Sequence, residues 1–202
     1  MGLQTTHIIY KDEHIRHLYL GHYLPLTTIA DPMSRSLLKF KRGRQPDLSN
    51  WIRAALEGFS HYPLSPDTII LRALRHDETE IPQSSQFAPP GSSLFPLPTT
   101  KPTPLDLLGQ NLASTFNSQY LPSLLRKSTT TLSNKGLTRE QRETQLQNIY
   151  SITPLPNTQP ILLIDDIFTT GATTRAIIHA LRQSSPHHPI EVFTLAKATY
   201  PR

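Results

Sequence analysis

The 202-residue chain reads as an α/β domain with a parallel sheet flanked by helices. Three observations predict this. Strand-like and helix-like patterns alternate along the C-terminal half. The run Ile161-Leu162-Leu163-Ile164 is apolar without alternation, as a strand buried on both faces requires. Two carboxylates and a threonine-glycine turn follow it directly, and open α/β sheets build ligand sites at that carboxyl edge.

The elements follow in order. The N-terminal third holds two helix signals. One spans Pro32 to Lys41 and stops at Gly43. The other places Leu48, Trp51, Ile52, Ala55, Leu56 and Phe59 on one stripe, with Asp47 or Ser49 to cap its start. Thr68 to Arg75 reads as a strand that turns basic at its end. Thr79 to Pro104 contains seven prolines and reads as a long irregular connection. Thr103 and Asp106 form a capping box, with Pro104 in the first turn, opening a helix whose buried face is Leu105, Leu108, Leu112 and Phe116. Leu124 to Arg126 is a short strand. Thr138 to Asn148 is rich in helix formers but almost wholly polar, so it reads as a solvated helix or a mobile segment. Ile161 to Asp165 is a strand, Thr173 to Arg182 a helix, and Ile190 to Ala196 a strand. The chain therefore divides into an N-terminal helical region, 1–65, and a core, 66–202, with the proline-rich loop at 79–104.

Composition narrows the function. Cysteine is absent, which excludes disulfides and thiolate metal sites. The first residues lack an apolar signal core, and no apolar run approaches the ~20 residues of a membrane span. A cytoplasmic protein with no membrane partner is expected. Net charge is +5, which favours polyanionic partners or serves solubility alone. Oligomeric state is not legible.

The informative segment is Ile161 to Arg175. Gly171 lets the backbone turn and approach a ligand. The helix beyond it opens with amides that have no partner within the helix and a dipole that favours negative charge. Hydroxyls of Thr169, Thr170 and Thr173 add neutral donors. A phosphate fits here. Asp165 and Asp166 would repel that phosphate if they faced it, but they suit the vicinal diol of the sugar that carries it. One ribose 5-phosphate accounts for the whole segment. Capping alone explains each piece separately but not their order. Neither Gly-Lys-[Ser/Thr] nor Gly-x-Gly-x-x-Gly occurs, so a triphosphate loop and a dinucleotide fingerprint are unsupported.

Ile161 to Thr174 resembles the phosphoribosyl pyrophosphate (PRPP) signature of the type I phosphoribosyltransferases. The wider chain resembles their ComF-like (competence protein F-type) branch. Leu37 to Lys41 with the following helix, Leu107 to Ala113, and Lys135 through Arg139 and Arg142 to Asn148 carry that likeness. It implies a phosphoribosyltransferase-like sheet with a small N-terminal helical hood. It also implies that Asp165 and Asp166 contact the ribose, and that Ile167, Phe168, Thr169, Thr170, Gly171, Ala172 and Thr173 hold the 5-phosphate. Magnesium would come bound to PRPP, without a dedicated protein metal site. The first core strand of that branch leads into a pyrophosphate loop. Here Arg72 and Arg75 stand in its place, and Lys39, Arg139 and Arg142 are candidates for flap or pyrophosphate contacts. The branch often carries a four-cysteine zinc module, which this chain lacks. The implied activity is Mg-dependent phosphoribosyl transfer with pyrophosphate release. The alternative is a non-catalytic PRPP or nucleotide sensor, or a DNA-uptake accessory.

Other residues invite weaker readings. Arg35, Lys39, Lys41, Arg42 and Arg44 form a cationic run suited to pyrophosphate or weak nucleic-acid binding, and equally to a solvated helix end. His14, His17 and His22 lack the acid or cysteine that would complete a tetrahedral site. His76, beside Asp77 and Glu78, is a candidate acid-base group.

Overall fold

The computed structural model describes residues 2–25, 31–75, 78, 101–128, 146, 149–155 and 158–200. The fold is the expected class: mixed α/β, with a mostly parallel sheet between helices, consistent with a type I phosphoribosyltransferase-like arrangement. Its strands are β1 (Gln4–Tyr10), β2 (Glu13–Tyr23), β3 (Ile69–Arg72), β4 (Gln119–Tyr120), β5 (Leu125–Lys127), β6 (Tyr150–Ile152), β7 (Ile161–Phe168) and β8 (Ile190–Ala198). Six of them form one sheet in the order β1-β2-β8-β7-β3-β4, while β5 and β6 form an antiparallel pair apart from it. Within the large sheet β1 runs antiparallel to β2, and the other pairings are parallel.

The sheet separates two cores. Strand alternation sends Ile161 and Leu163 of β7 to one face, where they meet Ile177, Ile178 and Leu181 of helix α4 (Ala172–Ser184). Leu162 and Ile164 point to the other face. There they meet helices α1 (Pro32–Lys41), α2 (Asp47–Ser60) and α3 (Pro104–Phe116), through Leu37, Phe40, Trp51, Phe59 and Leu108. Both faces of β7 are therefore covered over Ile161 to Ile164, and the apolar run needs no polar alternation.

Several local expectations change. The N-terminal region is not solely helical, because β1 and β2 precede α1. Histidines dilute their pattern, and the turn between them uses Lys11, at φ 52°, rather than glycine. His17 nevertheless lies fully buried, its Nε2 2.8 Å from Thr194 Oγ1. Strand β2 lies parallel beside β8, so segments 1–65 and 66–202 share one sheet. Helix α2 has no side-chain cap. Asp47 instead accepts a hydrogen bond from Ser36 Oγ at 2.5 Å and lies 3.8 Å from Lys39 Nζ. Strand β7 runs on to Phe168, three residues past its expected end, because Ile167 and Phe168 stay paired with β8. The capping box of α3 forms as expected: Thr103 Oγ1 accepts the Asp106 amide, and Asp106 Oδ2 accepts the Thr103 amide. Of the Thr138–Asn148 stretch only Leu146 is described, and it is buried. The rest of that stretch and residues 79–100 of the proline-rich loop lie outside the described residues. Among the described residues no helix is long and apolar enough to cross a membrane.

Candidate functional site: a cleft at the carboxyl edge of β7

The turn after β7 is set by one glycine. Gly171 adopts φ 74°, and a Cβ there would stand 2.4 Å from Phe168 Cζ, so a larger residue meets both strain and a clash. Gly171 precedes α4 directly, and no side chain caps that helix start. The amide of Ala172 approaches Thr170 Oγ1 at 3.4 Å, and Arg175 Nη2 donates to the Thr170 carbonyl at 3.0 Å, holding the turn from behind. The result is a small cradle of about 50 Å³ lined by Asp165 and by residues Ile167 to Thr174. All seven residues expected at a 5-phosphate, Ile167 to Thr173, line it.

A second cavity of about 350 Å³ adjoins the cradle, since Asp165 and Thr173 line both. Its other walls come from four separate places in the chain. Phe40 and Lys41 end α1, Ala73 to Arg75 follow β3, Thr103 to Leu105 open α3, and Asp166 completes the floor. The acids thus face the cleft that contains the turn.

Strand alternation gives the two acids different neighbours. Asp166 lies on the α1 side, where Lys41 Nζ is 3.0 Å from its Oδ2. Asp165 accepts the Asp166 amide at 2.8 Å through Oδ1. Burial, and next the charge of Asp166, push the Asp165 carboxyl up to about 7. Partial burial pulls the Lys41 ammonium down, but the Asp166 carboxylate outweighs it and holds its pKa above the ordinary value. Lys41 therefore stays charged.

The remaining expected residues separate. Arg75 lines the larger cavity. Arg72 does not: it is 2% exposed, bonded through Nε to Asp106 and through both terminal nitrogens to Glu78, at 2.8 and 2.9 Å. Lys39 is exposed beside Asp47 and does not line either cavity. Arg139, Arg142 and His76 lie outside the described residues. Among the described residues no three His, Cys, Asp or Glu side chains group to hold a metal. Lys41 is the site residue that a reading of motifs passes over, although it belongs to the cationic run. Its signal is helical spacing, since it lies one turn after the buried Leu37 and next to the buried Phe40.

No family model matches the chain. Over 96 residues the chain is 31% identical to Competence protein F of Haemophilus influenzae (strain ATCC 51907 / DSM 11121 / KW20 / Rd). The match covers 46% of this chain and 42% of that protein, so the chain spans less than half of the curated relative. The likeness supports a relationship to competence protein F.

Proposed function

We propose that the cleft binds the 5-phosphoribosyl group of PRPP, and that the protein is phosphoribosyltransferase-like with a competence-related role. One observation carries the reading: Asp165 and Thr173 line both the phosphate-sized cradle and the larger cavity. A phosphate on the turn then leaves its ribose beside the acids and its C1 substituent in the larger space. The cradle offers amides and hydroxyls, which suit a phosphate monoester. The competence-related role comes from the likeness to competence protein F.

Magnesium fits as an ion brought by the ligand. Among the described residues the nearby donors include two carboxylates, one already paired with Lys41, and magnesium commonly takes one or two carboxylates plus phosphate oxygens. Bound there, it would supply neutralisation of pyrophosphate charge. The chain's own residues bind and orient: the turn fixes the phosphate, and Asp165 and Asp166 accept from the diol.

Incubation with isotope-labelled PRPP, magnesium and a panel of bases separates binding from turnover. Retained label on the protein is expected, and pyrophosphate release with one base identifies an enzyme. Retention without release across the panel leaves a PRPP-binding protein. Absence of both contradicts the reading.

A further inference from the structure

Resting on the phosphoribosyl reading, we propose that His17, a hairpin residue that lines neither cavity, is a positioning residue for the phosphate turn: its ring holds Phe168 against Gly171. The turn needs such a support. Gly171 stands at φ 74°, no side chain caps α4, and the turn must keep its amides aimed at a phosphate. Phe168 lines the cradle, and its ring lies so close to Gly171 that a Cβ there would fall 2.4 Å from Cζ. The same ring meets the His17 imidazole of β2, with centroids 4.6 Å apart and planes tilted by 41°. Aromatic pairs at that spacing attract. A contact path therefore runs from β2 through Phe168 to the turn, although β2 gives neither cavity a lining residue.

His17 is held at a definite tilt, at some cost to the fold. Thr194 Oγ1 donates to the Ala196 carbonyl at 3.1 Å, so its hydrogen is committed. The 2.8 Å contact with His17 Nε2 must then run from an Nε2–H to the Thr194 oxygen. That tautomer leaves Nδ1 as a bare acceptor. It is the one buried side-chain nitrogen or oxygen without a hydrogen-bond partner among the described residues. Burial, and next the charge of Lys197, push the imidazole down to about 4, so the ring is neutral near pH 7. An unsatisfied buried nitrogen opposes folding, and an apolar side chain would avoid it. Stability alone therefore does not account for a histidine here, whereas a ring pinned by Thr194 against Phe168 does.

The test is calorimetric titration of the full chain by ribose 5-phosphate, with urea denaturation of each variant. His17→Leu and His17→Gln remove the ring, and Gln keeps a donor for Thr194. His17→Phe keeps the ring and removes both nitrogens. The ringless variants are expected to weaken ribose 5-phosphate by about three- to tenfold, the range that loss of one aromatic pair converts to, and His17→Phe to stay within about twofold of wild type. Phe168→Leu alone is expected to weaken binding, and adding His17→Leu to it to weaken binding no further, since His17 acts through that ring. Leu18→Val, next along β2 but facing the other core, is expected to lower stability and leave affinity unchanged. Unchanged affinity in a folded ringless variant, an equal loss in His17→Phe or in Leu18→Val, or additive losses with Phe168→Leu overturns the inference while the phosphoribosyl reading stands. Wild-type protein that does not bind ribose 5-phosphate overturns both.

Discussion

At the scale of single residues, Asp165 is held against its own preference. Burial and the adjacent Asp166 both disfavour its charge, and its folded pKa rises to about 7. Such a group destabilises the fold when it must ionise. The penalty is absent near pH 4, grows as pH rises through the ordinary carboxylate range, and is full above about pH 7. Asp165→Asn keeps an oxygen for the Asp166 amide and removes the charge. It is expected to stabilise the protein by on the order of 1 kcal/mol at about pH 8 and by nothing measurable near pH 4, read by urea denaturation at both values. A variant less stable than wild type at pH 8 contradicts the assignment. The acids and the threonine turn were legible in the sequence because they are consecutive: strand, carboxylates, glycine and helix start name their own geometry. The partnership of Lys41 with Asp166 was not, because it joins residues from distant parts of the chain and depends on how α1 docks.

At the scale of elements, β3 and α3 are tied by a buried polar knot. Arg72 bonds to Asp106 and Glu78, and Tyr120 donates to Asp106 Oδ1 at 2.7 Å. Burial pushes Asp106 up, but Arg72 and the bond from Thr103 outweigh it and hold the carboxyl below the usual range. The family resemblance implied a pyrophosphate role for Arg72 at the end of the first core strand; in the structure its guanidinium is buried and bonded to Asp106 and Glu78, joining β3 to α3. Asp106 was readable as a cap and does cap, but its second oxygen serves Arg72, which no local pattern signals. Asp106→Ala leaves Arg72 with Glu78 but strips its Nε and the Tyr120 hydroxyl of their acceptor and unties the cap, so a loss of about 2–4 kcal/mol is expected in urea denaturation. Tyr120→Phe removes one bond and is expected to lose about 1 kcal/mol. Equal, small losses for both would contradict this joining role.

At the scale of the whole molecule, one sheet runs from the N-terminal hairpin to the last strand. Ile15 packs with the α4 core and Leu18 with the α1–α3 core, so β2 seals both layers. Glu13 accepts from Arg182 Nε at 2.8 Å, tying the hairpin to the end of α4. A single cooperative thermal transition is expected, with far-ultraviolet and near-ultraviolet circular dichroism coinciding. Two separated transitions would show that residues 1–65 melt alone. The α/β class was legible from the buried β7 run and the helices that follow. The hairpin was not, since its histidines and glycine-free turn hide a period of two that only the neighbouring β8 makes evident.

Calorimetric titration with PRPP and magnesium, on wild type and on Asp165→Asn/Asp166→Asn, tests the central claim most directly. Wild type is expected to bind with one-site stoichiometry. The double variant, with an unchanged circular dichroism spectrum, is expected to bind at least about tenfold more weakly, as loss of charged acceptors requires. Equal binding by the two proteins, or none by wild type, would contradict the claim that these acids and the turn beside them hold a phosphoribosyl group.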